Sequence, residues 1–562
     1  MKKITLLISS FTLYFMTNAQ DFNWAKSFGA SSSDYGNSIC TDNSGNIYST
    51  GYFNGTVDFD PGVGTANLVS NGSSDVYIQK MDASGNYVWA KSFGSNMADQ
   101  GECIAIDGSG NIYTTGFFRG LTDFDPDTSS YYYNAVGGWD VFIQKLDAAG
   151  NFVWAIPFGG TGNDLARSIT VDAQGYIYTI GHFEGTVDFN PDTGTSNMHT
   201  LISNGADDIF IQKLDAAGNF VWAKSFGGTG YDIGYSITVD ALGNVYTTGY
   251  FQGTADLDPG TGTHNLTSNG VSEVFVQKLN AAGNFVWAKS FGGNVNDAGE
   301  CIITDVVGNI YTTGSFNGTG DFDSGSGTNN LTSNGSSDIF IHKLDTAGNF
   351  VWAKSFGGTG YDQGYSIKTD ASNNVYITGY FQNTVDFNPG TGVDTLMSNG
   401  GSDVFIQKLD AAGNYVWSKS FGGQFNDVGK SMFISNLGEV YTTGVFQGTC
   451  DFDPEAGTTN LISNGQQDVF VHKMSQQIAN INKLNNEKTF SVYPNPTTNT
   501  LNIASQSTFS KINILDVNGK LIKSKNSNKT TINVADLISG FYIVVLLDEN
   551  NQAIARQKFI KQ

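Results

Sequence analysis

Apolar and polar side chains alternate along most of this chain in short runs, and the runs return in a fixed order. Between Gly234 and Gly293, Tyr235–Val239 alternates and is rich in β-branched residues, which predicts a first strand, A. Asp240-Ala241-Leu242-Gly243-Asn244 follows, with Gly where a type I turn closes through a left-handed residue. Val245–Phe251 reads as strand B, residues 252–272 as a long loop, and Glu273–Leu279 as strand C. The turn Asn280–Asn284 repeats the first hairpin chemistry and delivers strand D, Phe285–Phe291. Each unit is thus expected to hold four short strands joined mainly by hairpins.

The unit recurs along the chain. Its most constant stretch, Gly218–Gly228 in one copy, carries a Trp that returns as Trp24, Trp89, Trp154, Trp222, Trp287, Trp352 and Trp417, at spacings of 65, 65, 68, 65, 65 and 65 residues. A single four-stranded sheet with apolar side chains on both faces cannot stand alone, so units must stack, as a propeller or as an open solenoid. The ends decide between them. The chain enters with only a D strand, Phe22–Phe28, and the last unit stops after a C strand, Asp468–Met474. A ring in which the first strand completes the last sheet accounts for both. C strands begin at Asp75, Asp140, Asp208, Glu273, Asp338, Asp403 and Asp468. The expectation is an all-β, seven-bladed β-propeller with four-stranded blades over residues 20–474, closed by the N-terminal strand.

Composition adds a compartment and a sign of charge. Residues 1–19 read as a signal peptide: Lys2 and Lys3, then an apolar run, then Thr17-Asn18-Ala19, with cleavage expected between Ala19 and Gln20. No later run is long enough for a transmembrane segment. The net charge of −23 is uneven, because residues 21–474 hold 17 basic and 47 acidic residues, a net of −30. Such a surface excludes nucleic acid and anionic lipid as natural partners and favours divalent cations, or cationic and neutral ligands. Cys40, Cys103, Cys301 and Cys450 do not recur in every unit, so they read as small buried thiols.

Registered on Trp, acidic residues form three series on the side of the B–C loops. Ten residues after each Trp stand Asp34, Asp99, Asp164, Asp232, Asp297, Asp362 and Asp427. They enter strand A, and are read either as an acidic ring at a channel mouth or as local backbone acceptors. A second series, at Trp plus 34, opens an Asp-x-Asp/Asn motif: Asp58 and Asp60, Asp123 and Asp125, Asp188 and Asn190, Asp256 and Asp258, Asp321 and Asp323, Asp386 and Asn388, Asp451 and Asp453. Alternating oxygens before a Gly-rich loop suit Ca²⁺, which takes six to eight oxygen ligands; the same residues also suit an Asx turn that pins the loop. The third series is the acid that opens each strand C.

One loop departs from the consensus with Tyr131, Tyr132 and Tyr133, followed by Trp139, a set suited to sugar or protein contact or to covering a neighbouring blade. Enzyme signatures are scarce: the five histidines show no metal-ligand spacing, and Arg119, Arg167 and Arg556 are the only arginines. No catalytic residues are assigned.

The pattern Asp140-Val-Phe-Ile-Gln-Lys-Leu-Asp147, a Gly-Asn turn, then Trp and Phe-Gly-Gly resembles the bacterial β-propeller repeat family called SBBP, over about residues 22–474. The family implies a propeller and no single activity. Residues 475–488 are polar and read as a linker. Residues 489–562 resemble the type A C-terminal sorting domain of the type IX secretion system. The match is carried by Tyr493-Pro494-Asn495-Pro496, Asp516–Lys520, Leu537–Tyr542 and Lys558–Lys561. That resemblance implies a small Ig-like β-sandwich acting as an address for the secretion machinery of a Gram-negative bacterium. An ordinary Ig-like binding module is the alternative. The expected function is a secreted or cell-surface, non-catalytic binding scaffold for an extracellular protein or glycan, with the acidic loop face as its working face. A Ca²⁺-dependent adhesin and a polysaccharide- or peptide-acting hydrolase are the alternatives.

Overall fold

The computed structural model describes residues 20–127, 129–190, 198–476, 490–505, 509–515, 521–526, 530–548 and 553–562. The expected signal peptide, with Ala19, lies outside them, as do residues 477–489 of the expected linker. Among the described residues every regular element is a strand. Two compact units are present, residues 18–476 and the C-terminal residues 477–562.

In the first unit, Ile233–Val239, Val245–Phe251, Glu273–Leu279 and Phe285–Phe291 pair antiparallel in that order, as the alternation predicts. The same grouping recurs seven times, the last completed from the other end of the chain. There the strand Gln20–Phe28 lies along Asn460–Gln476, with Phe28 opposite Val469 and Gln20 opposite Gln476. The pairing therefore continues past Met474, and Ser475 and Gln476 are strand rather than linker. Each A strand packs beside the A strand of the next unit, and Val428–Ile434 packs beside Tyr35–Thr41, so the series returns to its start.

Between units the core is aromatic and aliphatic, with each cluster shared by two neighbours. Trp222 and Ile209 of one unit pack with Val245, Phe251 and Phe275 of the next. Phe28 and Val469 likewise pack with Ile39, Phe53 and Tyr77 across the closure. Full burial of side chains this size contributes roughly 1.5–3 kcal/mol each.

Two polar devices repeat at the same joints. The indole of six of the seven repeat tryptophans, Trp417 excepted, lies on the turn glycine of the following unit: Gly283 has φ +77°, and a Cβ there would come within 3.1 Å of the Trp222 ring. Only glycine satisfies both the left-handed backbone and that approach. Trp24 stands in the same relation to Gly85 across the closure. The strand C lysine also crosses the joint: Lys213 Nζ donates to the Ala281 carbonyl at 3.4 Å, and Lys473 Nζ to the Ala83 carbonyl at 3.2 Å.

The B–C segment is not the open loop expected from its Gly and Asn content. In four units strands B and C run on into a second hairpin, as in Ile47–Asp58 with Asn67–Met81. Elsewhere the arm is a short separate pair, such as Thr254–Asp256 with Asn265–Thr267. A residue with positive φ, Gly55 in the first unit and Asn383 in the sixth, marks the register shift that lets the strand continue after a bulge.

The C-terminal unit holds two antiparallel sheets, one of Phe490–Tyr493, Thr500–Ser505 and Thr531–Asn533, the other of Lys511–Leu515, Leu521–Asn526, Gly540–Leu547 and Ala553–Lys561. Leu501, Ile503, Ile512, Val544 and Phe559 form its core. The turn expected at Asp516–Lys520 lies outside the described residues.

Candidate functional site

The loop-face carboxylates are engaged with the backbone. Asp256 Oδ1 accepts the Asp258 and His264 N–H groups at 3.1 and 2.7 Å, and Asp258 Oδ1 accepts Gly260 N–H at 2.8 Å. The first-position bond pattern holds at Asp58, Asp123, Asp188, Asp321, Asp386 and Asp451, and each carboxylate ties the two ends of its loop together. The partner positions Asp60, Asp125, Asp323, Asn388 and Asp453 bond the backbone two residues on, and Asn190 donates its own N–H to Asp188. Among the described residues no three His, Cys, Asp or Glu side chains converge as a metal site would require.

Asp34, Asp99, Asp164, Asp232, Asp297, Asp362 and Asp427 do not form a channel mouth. All seven are buried, with 0–1 % of their surface exposed. Asp232 Oδ2 accepts Gly228 N–H at 2.5 Å and its Oδ1 accepts Gln252 N–H at 3.0 Å, which fixes the D–A connection to the end of strand B. The carboxylate is directed inward, where it satisfies those two N–H groups, one on each side. Each also lies near the acid that opens the preceding strand C, for instance Asp208 beside Asp232. Burial, and then the neighbouring charge, push Asp164, Asp208 and Asp297 up to about 7, against the opposing backbone bonds.

The side chains that are not committed to loop architecture lie along the axis. Thirteen residues after each Trp stand Asn37, Glu102, Arg167, Tyr235, Glu300, Tyr365 and Lys430, one from each A strand. All line a central cavity of about 700 Å³. Arg167 pairs with Glu102 at 3.3 Å and lies over the Phe117 ring, 5.8 Å from its centroid. Gln363 Nε2 donates to Glu300 Oε1 at 2.7 Å, and Lys430 Nζ sits 3.9 Å from the Tyr365 ring centroid. Desolvation raises the Glu300 and Glu102 carboxyls and lowers the Lys430 ammonium, in each case against attraction from the opposite charges. Sequence reasoning overlooked this layer. Its signal was available: within the strand this position changes between amide, acid, base and aromatic from unit to unit, as expected where no neighbouring sheet constrains the side chain.

The aromatic loop divides in two. Tyr133 packs on Phe118 and Trp139 on Phe117, at 6.1 and 5.6 Å between ring centroids, and Tyr133 also lies against the core cluster shared with the neighbouring first unit. Tyr131 leans on Phe152, and Tyr132 is 62 % exposed.

With this geometry in place, comparisons with known proteins are consistent with the sequence resemblances. Residues 23–57 and 221–250 match the SBBP beta-propeller repeat model, and residues 491–562 match the secretion system C-terminal sorting domain model. An uncharacterized WD repeat-containing protein of Acanthamoeba polyphaga mimivirus is 24% identical over 499 residues, covering 75% of this chain and 36% of that protein. Regulatory protein FlaEY of Caulobacter vibrioides is 24% identical over 201 residues, covering 34% of this chain and 20% of that protein. The chain thus spans little more than a third of the curated relatives it matches, or less. A fungal alcohol oxidase of the AA5 family, solved with copper, aligns over 97% of this chain and all of its own at 12% identity, with a TM-score of 0.36. The sorting domain directs export to the cell surface or extracellular space, and no helix among the described residues is long and apolar enough to cross a membrane. The chain therefore carries SBBP β-propeller repeats followed by a secretion system C-terminal sorting domain.

Proposed function

We propose that this is an exported, non-catalytic binding scaffold, a closed seven-bladed β-propeller whose axial layer is the working site. The C-terminal unit, an Ig-like sandwich in this reading, hands it to the secretion machinery. Closure is supported by the Gln20–Phe28 pairing and by the Trp24 and Lys473 contacts, which repeat those at internal joints. One observation carries the choice of site. The loop-face acids hold backbone in every unit, whereas the axial position presents five kinds of side chain across the seven units to a shared cavity. This moves the working site from the acidic face to the channel.

The test is retention of extracellular proteins and glycans by the secreted chain, compared with Lys430→Met, Arg167→Met and the loop control Asp256→Asn. Channel variants should lose a retained ligand that the loop control keeps. Equal retention by all four would refute the axial site. Turnover in glycoside or peptide screens that disappears on Glu300→Gln would replace the scaffold by an enzyme.

A further inference from the structure

The charges in the axial layer are matched in number, two of each sign, but only one pair is in contact. Glu102 has its cation, Arg167, at 3.3 Å. Glu300 and Lys430 belong to units separated by one other, the unit that contributes Tyr365, and among the described residues neither has an oppositely charged group within 4.0 Å. Glu300 is oriented instead by the Gln363 amide, through one oxygen, and Lys430 is held on the Tyr365 ring face. Both line the same cavity of about 700 Å³, within the range of small-molecule sites at roughly 300–1,000 Å³.

We propose that Glu300 and Lys430 form the two poles of a binding site for a small zwitterion, a free α-amino acid or a dipeptide. Its ammonium is taken by the open Glu300 oxygen and its carboxylate by Lys430. The assignment rests on the scaffold reading above and gives it a ligand class. The physical argument is charge balance. A charge removed from water without a contacting partner costs several kcal/mol, and in this layer one carboxylate and one ammonium attract each other across the cavity without touching, while Lys368 lines the same space from another A-strand position. An anion alone would satisfy Lys430 and leave Glu300 facing an added negative charge; a cation alone would do the reverse. A ligand carrying both charges satisfies both poles and leaves the layer neutral. Desolvation already disfavours the charged form of each group, the state that a counter-charge stabilises. Tyr365 lies between the poles in ring order, and its ring face carries the Lys430 ammonium.

The experiment is calorimetric titration of the full secreted chain with L-alanine and glycyl-L-alanine, with acetate, ethylammonium and D-glucose as single-feature probes. At least one zwitterion should bind tenfold or more tighter than acetate or ethylammonium. Glu300→Gln and Lys430→Met should each weaken it at least tenfold. Tyr365→Phe, which keeps the ring under Lys430, should stay within about threefold. The double exchange Glu300→Lys with Lys430→Glu should restore binding, which separates charge recognition from a folding defect. If acetate binds as tightly as L-alanine and only Lys430→Met matters, or if D-glucose binds regardless of either charge, the zwitterion assignment is overturned while the scaffold reading stands. A wild-type chain that gives no heat with any probe, yet retains an extracellular partner through the channel, overturns it in the same way.

Discussion

Lowering the pH from 8 to 5.5 should stabilise this protein, opposite to the usual behaviour of acidic proteins. Seven carboxyl pairs are buried at the D–A connections: Asp75 with Asp99, Asp140 with Asp164, Asp208 with Asp232, Glu273 with Asp297, Asp338 with Asp362, Asp403 with Asp427, and Asp468 with Asp34. Desolvation, reinforced by the partner charge, holds one member of five pairs near 7 and of the other two near 6, from an ordinary value of 3.8. The folded state therefore binds more protons than the unfolded chain between those values, and stability falls as pH rises through the window. With one proton per pair, the gain from pH 8 to 5.5 is about 2 kcal/mol for a carboxyl near 7 and about 0.8 kcal/mol for one near 6.

Three buried histidines oppose this. His182, His342 and His472 are pushed down to about 3 by burial, so folding keeps them neutral, and each costs about 1.4 kcal/mol at pH 5.5. The hairpin-turn aspartates do not enter. At Asp240, burial acts upward, but bonds from Asn244, Tyr246 and Leu242 carry it below its usual value, and its contribution is lost only in stronger acid. If residual hydration halves the carboxyl contribution, a net gain of about 1.6 kcal/mol remains. Urea unfolding followed by Trp fluorescence in 0.3 M NaCl, which screens surface repulsion more than buried pairs, measures it. The urea midpoint should rise at pH 5.5, and Asp403→Asn should flatten the dependence by about 1–2 kcal/mol. A midpoint that is unchanged or lower at pH 5.5 would refute the reasoning.

Further outcomes follow from the same contacts. Asp256→Asn keeps the accepting Oδ1 and should change stability by less than about 0.5 kcal/mol, whereas Asp256→Ala frees two N–H groups and should cost about 1–2 kcal/mol. Addition of EDTA should leave the melt in place; a drop of several degrees, reversed by Ca²⁺, would instead favour the Ca²⁺-dependent adhesin. Deleting residues 20–28 uncovers the edge of Asn460–Gln476 and removes Phe28 from the closing core, so size-exclusion chromatography should show aggregates or strand-exchanged dimers. Removing residues 491–562 should trap the chain inside the cell envelope, as fractionation and surface labelling would show; unchanged export would separate that domain from delivery.

The repeat, its strands and its latch could be read from the sequence because each depends on short-range or periodic signals. Alternation in Val245–Phe251 reports which faces are buried, and the Asp-x-x-Gly-Asn turns report hairpins whose geometry is local. The recurrence of Trp24 before any strand C was enough to expect that Gln20–Phe28 completes a sheet from the far end of the chain. The acidic series were equally visible as positions, but what they do was not. The motif at Asp256 suits a backbone clamp and also a cation, and the partner that makes the clamp, the His264 N–H, is brought to it only by the folded loop. Asp232 could have faced a channel or a joint; its placement between Gly228 and Gln252 decided for the joint.

By itself, then, the sequence determined the unit, its repetition and the closing strand, since these follow from periodic burial and turn chemistry within one repeat length. The tertiary structure alone decided which of the repeated positions would share a space. Seven side chains, each 65 or 68 residues from the next, meet around one axis only after the sheets have stacked and closed. The placement of Glu300 and Lys430 on one cavity, with Tyr365 between them in order, is a property of that stacking, and no single unit contains it.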